Sequence, residues 1–235
     1  MKSDISSWVR LFPTRLQNLT RKLYFYFFLN FHIQVYKVLR SILYHVYFYK
    51  VINKQFDGLN IGSSNSRIST FCNIDANPLA LCDIVSGVDT LKLNSQTVGA
   101  IYNSHIFEHI PSAKSKKVLQ EWYRVLRSGG KLYICVPDLE VLFKIYLDNL
   151  SQYHTEKGRY LVNLSCAVTY GGQTNKYDFH YNGYSFITLK YLLEEVGFTN
   201  VQTFDRSQLK LGEFIDASFA KIDDVPISLN VEAIK

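Results

Sequence analysis

Apolar residues dominate positions 23–52, interrupted by His32, Gln34, Lys37, Arg40, His45 and Lys50. No uninterrupted run reaches the roughly 20 residues that a membrane-spanning helix needs. From Asn30 onward the polar positions Asn30, Gln34, Lys37, Ser41 and His45 recur at steps of four, three, four and four. That spacing predicts a helix with one narrow polar stripe, which must bury most of its surface. From Phe56 the rhythm changes to short apolar runs separated by turns and amphipathic stretches. Strands are predicted at 58–62, at 71–75 (halted by Asn77-Pro78) and at 98–103. A helix is predicted over 116–127, with Val118, Leu119, Trp122, Val125 and Leu126 on one face and Gly129-Gly130 as its stop. A strand follows at 131–136, then a helix at 139–150 and a Tyr/Gly/Asn-rich loop over about 168–184. The last predicted elements are a helix at 186–196, stopped by Gly197, and strands near 200–204 and 212–221.

Strands alternating with helices predict an α/β fold with a doubly wound, mostly parallel sheet. A C-terminal antiparallel strand pair closes it, and an N-terminal helical extension precedes it. The change of rhythm divides the chain into an extension, residues 1–55, and a domain, residues 56–235.

Charge sharpens that boundary. The extension holds nine lysines and arginines against the single acid Asp4, whereas the remainder holds seventeen against nineteen. The chain's net charge of +6 therefore belongs to the extension, and no nucleic-acid partner is expected for the domain. A basic, aromatic-rich helix suits two partners, an anionic membrane surface or another copy of the chain. Cys72, Cys82, Cys135 and Cys166 form no CxxC pair, and no secretory leader is evident, which together predict a cytoplasmic protein. Contact with the inner membrane face would then be peripheral.

Three segments hold candidate chemistry. Asn60-Ile61-Gly62-Ser63-Ser64 ends the first strand in a small-residue turn, where backbone N–H groups can approach a polar ligand. Ser64 and Arg67 stand where a dinucleotide-binding GxGxxG has glycines, which argues against NAD or FAD. Asp75 ends the second strand, where an acid either accepts ribose hydroxyls or caps a turn. His105-x-x-Glu108-His109 has the spacing of an inverted zincin, in which two histidines on one helix hold zinc. Here the pattern abuts a strand end and soon meets Pro111, with no third ligand evident, so no metal site is assigned.

Taken in order, Asn60-Ile61-Gly62, Asp75, residues 104–109 and residues 121–130 resemble the motifs of class I S-adenosylmethionine-dependent methyltransferases. Val136-Pro137-Asp138-Leu139-Glu140, Tyr170-Gly171-Gly172-Gln173, Tyr177-Asp178-Phe179-His180 and Gly183-Tyr184 resemble a bacterial subgroup associated with surface-polysaccharide biosynthesis. The resemblance covers about residues 56–221. It implies S-adenosylmethionine as cofactor and a small-molecule or glycan acceptor. It also implies that Asn60, Gly62, Ser63 and Ser64 cradle the methionine end of the cofactor. Asp75 would hold the ribose, Asp89 (or Asp83) the adenine, and His105 would lie beside the sulfonium. A hydroxyl acceptor needs a base, for which His180, Asp178 and His105 are the candidates. Tyr170, Tyr177, Tyr181 and Tyr184 suit either stacking on a sugar or a lid over the cofactor. The usual Gly-x-Gly turn here reads Gly62-Ser63-Ser64, so a non-catalytic binding module of the same fold is an alternative. A zinc hydrolase using His105 and His109 is a third reading.

Overall fold

The computed structural model describes residue 35 and residues 56–235, without residues 65, 78, 79, 81, 92, 176, 210 and 212–215. The chain divides into two units, Met1–Val46 and Tyr47–Lys235. Apart from Val35, which is helical, the predicted extension lies outside the described residues.

The second unit is built on a seven-stranded sheet. Its strands are β1 (Gly58–Ile61), β2 (Phe71–Asp75), β3 (Ile84–Val85), β4 (Val98–Ser104), β5 (Leu126–Pro137), β6 (Thr199–Thr203) and β9 (Ser228–Ile234). They lie in the order β3-β2-β1-β4-β5-β9-β6. The five from β3 to β5 are parallel, and β9 runs antiparallel to both β5 and β6. A separate antiparallel pair joins β7 (Lys221–Ile222) to β8 (Val225–Pro226). The helices are α1 (Ser112–Val125), α2 (Leu139–Leu150), α3 (Glu156–Tyr170) and α4 (Phe186–Val196). This is the doubly wound, Rossmann-like α/β fold that the alternating pattern predicts.

The strands that run through the middle of the sheet are apolar because both of their faces are covered. Every residue of β1 and β2 is buried. Tyr102, Tyr133 and Cys135 share one face with Ile68 and Phe71. Their in-register neighbours Ile101 and Leu132 point to the opposite face by the period-two alternation of strands. The stripe Val118, Leu119, Trp122 and Val125 is buried on α1, as its spacing predicts. Glu121 ties that helix to the segment before β4: one carboxylate oxygen accepts the Leu91 N–H at 2.9 Å, and both engage Arg124. Asp138 caps α2, and Ser185 with Thr188 forms a capping box on α4.

Three expectations change. Gly129-Gly130 does not end α1, which stops at Val125 when Leu126 turns extended. The glycines instead lie within β5, where the register against β4 jumps from Val98–Leu126 to Ala100–Lys131. Gly129, at φ +74, supplies the left-handed residue that this bulge requires. The long final strand is β9, downstream of the predicted 212–221 segment, whose described part is a short 3-10 turn leading into β7. Finally, α3 occupies residues for which the pattern predicted no element, so the loop before α4 begins only at Gly171.

Candidate functional site

The sheet reverses its strand order between β1 and β4, and parallel sheets of this kind bind ligands at the carboxyl ends of strands beside such a switch. A cavity of about 410 Å³ lies there. Its wall includes Gly62 after β1, Asp75 at the end of β2, Asp89 after β3, and Ile106 and His109 after β4.

The turn after β1 is built around Gly62. Its φ is +75, and a Cβ there would overlap the Ile106 side chain, so only glycine fits. Ser64 is also left-handed, at φ +43, and its N–H donates to Asp75 Oδ2 at 2.8 Å. Asp75 Oδ1 accepts the Asn77 N–H at 2.6 Å. The turn-capping reading of Asp75 is therefore realised. The residue also lines the cavity, and each carboxylate oxygen has a second lone pair for a ligand. Asp89 lines the cavity as well, whereas Asp83 is spent on Arg67 and on the Asn73 backbone and side chain. Asn60 and Ser63 lie behind the wall. Asn60 braces the turn by donating to Ser66 O and Asn73 Oδ1, and the Ser63 hydroxyl is buried.

Beyond β4 the chain makes one 3-10 turn, Phe107–His109. His105 sits just before it in the left-handed region, at φ +51, a strained position for a branched-off side chain at a strand end. Its Nε2 meets Ser228 Oγ at 3.0 Å, and its Nδ1 lies 3.4 Å from Glu108 Oε1. Glu108 is buried at 1% exposure, and among the described residues neither of its carboxylate oxygens has a hydrogen-bond partner.

The loop of residues 171–185 is fastened to that turn. Tyr181 N–H and Asn182 N–H both donate to Glu108 O, at 2.8 and 3.2 Å, and His109 Nδ1 meets Phe179 O at 3.0 Å. His180 Nε2 thereby comes within 3.9 Å of Glu108 Oε1, with its ring edge-on to His109 at 4.6 Å. Burial pushes the His180 imidazole below its ordinary pKa; Glu108 opposes this, and His109 and His105 add to it. Asp178 points the other way. It accepts from the Thr174 hydroxyl at 2.8 Å, and this bond, with the backbone N–H groups of Thr174 and Gly172, holds its carboxyl below the usual range. Of the four loop tyrosines, Tyr177 lines the cavity and Tyr170 and Tyr181 are exposed. Tyr184 belongs to the core, stacked on Phe107 at 5.1 Å with its hydroxyl on Ser115.

The structure thus gathers Gly62, Ser64, Asp75 and Asp89 around one cavity and sets His105 and His180 on either side of Glu108. Of the His105-x-x-Glu108-His109 segment, the structure groups Glu108 and His109, without His105, with His180, more than seventy residues downstream. Ile106, Lys114 and Val118 also line the cavity and carried no sequence signal beyond their place in the motif or helix.

Residues 55–134 match the family model described as "Methyltransferase domain". The match spans about a third of the chain and takes in the Gly62 turn, Asp75, Asp89 and residues 105–109. Over those residues the chain is similar to a methyltransferase domain. No curated protein matches the sequence. Among solved structures, the chain is similar to a SAM-dependent methyltransferase from Archaeoglobus fulgidus, at 15% identity and a TM-score of 0.47, over 85% of this chain and 94% of that one. It is also similar to an S-adenosylmethionine-dependent methyltransferase from Mesorhizobium loti, at 14% identity and a TM-score of 0.47, over 82% of this chain and 98% of that one.

Proposed function

We propose that this chain transfers the methyl group of S-adenosylmethionine to a hydroxyl of a small-molecule or glycan acceptor, in the assembly of surface polysaccharide. The observation that carries the reading is the adjacency of two sites: a cavity walled by Asp75 and Asp89, and a group of two histidines around the buried Glu108 that shares His109 with it. The residues fit the cofactor. Asp75 has lone pairs left for two ribose hydroxyls, Asp89 accepts from adenine N–H groups, and the Gly62 turn lines the same cavity. S-adenosylmethionine, when bound, supplies a methyl carbon on a positively charged sulfur.

The chain's own residues have two further tasks. Tyr177 and Ile106 help to close the cavity and fix the angle between acceptor and methyl carbon, which is where most of the acceleration of an in-line displacement arises. The histidine group activates the acceptor hydroxyl. Among the candidate residues, His180 is favoured because burial keeps its ring neutral near pH 7, with a lone pair available. Asp178 is disfavoured because Thr174 and the loop amides make it a weaker base. His105 flanks Glu108 from the other side. Polysaccharide as the setting rests on the motif resemblance of residues 136–140 and 170–184.

His180→Ala is expected to lower turnover at least tenfold while leaving S-adenosylhomocysteine affinity within about twofold, as for a group that acts on the acceptor. The assay is release of S-adenosylhomocysteine against a panel of sugars and sugar nucleotides. If no acceptor in such a panel yields product, the non-catalytic module becomes the better reading.

We further assign residues 1–55 to reversible contact with an anionic membrane surface. Their charge asymmetry and aromatic content support this. Among the described residues no helix is long and apolar enough to cross a membrane.

A further inference from the structure

Glu108 presents an electrostatic problem that hydrogen bonding within the chain does not solve. It is buried at 1% exposure, and both of its carboxylate oxygens lack a donor among the described residues. Burying such a group without compensation is costly, and folded proteins rarely retain one without a use. Three imidazoles lie near it, yet two of them spend their protons elsewhere.

His109 Nδ1 meets the carbonyl of Phe179, which can only accept, so Nδ1 carries the proton and Nε2 is left as a lone pair. His180 Nε2 faces Glu108 Oε1 at 3.9 Å. The Ser228 hydroxyl donates its one proton to Asn230, so His105 Nε2 donates to Ser228 and its Nδ1 lone pair faces Glu108. Carboxylate oxygens and imidazole nitrogens are therefore gathered here with no hydrogen bond to either Glu108 oxygen among the described residues. The separations of 3.4 and 3.9 Å are too long for hydrogen bonds in any case.

A cation resolves this arrangement. The ligand atoms of Glu108, His109 and His180 lie within 4.8 Å of one another. Bonds of about 2.0–2.2 Å to a shared ion would set its ligands roughly 3.3 Å apart in a tetrahedron, so small side-chain movements suffice. The bond from His109 Nδ1 to the Phe179 carbonyl is the kind that orients a metal-binding imidazole. The main-chain bonds from residues 181 and 182 to Glu108 O lock the two ligand-bearing segments together. Three protein ligands leave a coordination position open, and His109 borders the cofactor cavity.

We propose that Glu108, His109 and His180 bind a divalent first-row cation, zinc or manganese, whose open position takes the acceptor hydroxyl beside the methyl donor. Two imidazoles and a carboxylate favour these ions over magnesium or calcium, which prefer all-oxygen sites. Resting on the methyl-transfer reading, the inference specifies how the hydroxyl is activated. The cation lowers the pKa of the bound hydroxyl, whose proton leaves to water. The oxygen then forms a bond to the methyl carbon as the carbon–sulfur bond breaks, its electron pair remaining on sulfur as the neutral thioether. With the ion bound, the His180 lone pair goes to the metal, so its direct general-base role is replaced and water accepts the proton.

The test is calorimetric titration of the full chain, freed of metal by a chelator, with Zn²⁺, Mn²⁺ and Mg²⁺ in separate runs. One equivalent of Zn²⁺ or Mn²⁺ is expected to bind, with Mg²⁺ at least tenfold weaker. Glu108→Gln, His109→Ala and His180→Ala are each expected to weaken binding more than tenfold, and His154→Ala, in an exposed turn, to leave it unchanged. Because Glu108 is buried, the Co²⁺-loaded wild type and the partly exposed His109→Ala give a second reading: a visible absorption band that the substitution shifts or abolishes. No stoichiometric binding, or binding that His109→Ala leaves unchanged, overturns the site. S-adenosylhomocysteine titrated into the metal-free protein separates the two readings. If it binds while the metals do not, only the cation is wrong; if the metals bind and it does not, the methyl-transfer reading fails and the site stands.

Discussion

Ser64 shows how one residue departs from a motif without losing its geometry. Glycine is the usual occupant of such a position because left-handed backbone costs a residue with a Cβ about 1–2 kcal/mol. Ser64 adopts φ +43 nonetheless, and its N–H still reaches Asp75. The main consequence of the serine is therefore strain on the cavity wall. Ser64→Gly is expected to raise the melting temperature by about 2–4 °C, the shift that roughly 1 kcal/mol produces in a domain of this size. Affinity for S-adenosylhomocysteine should hold or improve. A melting temperature lowered by the same amount would mean that the hydroxyl makes a contact worth more than the strain. Asp75 shows the limit of single-residue reading: turn cap and ligand acceptor are compatible, since two N–H groups occupy only part of its capacity.

Among the elements, those with an unbroken period were legible before any coordinates. β2, α2 and α4 occupy the predicted residues, because each has a clean apolar face and a capping or turn residue at its ends. The end of α1 was misread because a glycine pair suits a bulge as well as a helix stop. Only the register of β4 against β5 distinguishes them. β9 went unrecognised because its buried residues alternate with polar ones beyond a turn, in a position that the sheet order alone explains. The histidine group was half legible: residues 105–109 announce two members, but nothing local says that His180 joins them. That meeting depends on main-chain bonds between a 3-10 turn and a distant loop. Glu121 offers a test of how α1 is held. Its hydrogen bonds with Arg124 lower its pKa in the folded state, with burial opposing and Leu91 N–H assisting. A carboxyl with a depressed folded pKa adds stability above its unfolded value, near 4.3, and loses it as pH falls through the folded value. Glu121→Gln is expected to cost about 1–2 kcal/mol at pH 7, within reach of a charge-assisted hydrogen bond. That difference should shrink as pH falls below the unfolded value and vanish once the folded carboxyl is protonated. A cost that persists unchanged in acid would show that packing is responsible and the charge is not.

At the scale of the whole molecule, charge and chemistry are segregated. The cavity and the histidine group belong to residues 56–235, while the first 55 residues hold nine of the 26 lysines and arginines. Each cation near an anionic surface contributes about 1 kcal/mol, fading within a Debye length. The full chain is therefore expected to sediment with anionic vesicles and to be partly released by high salt, and a chain starting near Gln55 is expected to stay in solution. Absence of lipid binding by the full chain, together with aggregation of the shortened one, would mean that the extension completes the core or pairs two copies. The central claim concerns the cavity at the strand ends, and calorimetric titration of the full chain with S-adenosylhomocysteine tests it most directly. The account predicts one site per chain, with affinity reduced by about 1–3 kcal/mol in Asp75→Ala, the range for a lost hydrogen bond to a charged group. Neither heat nor a melting shift from the wild type at millimolar ligand would contradict it.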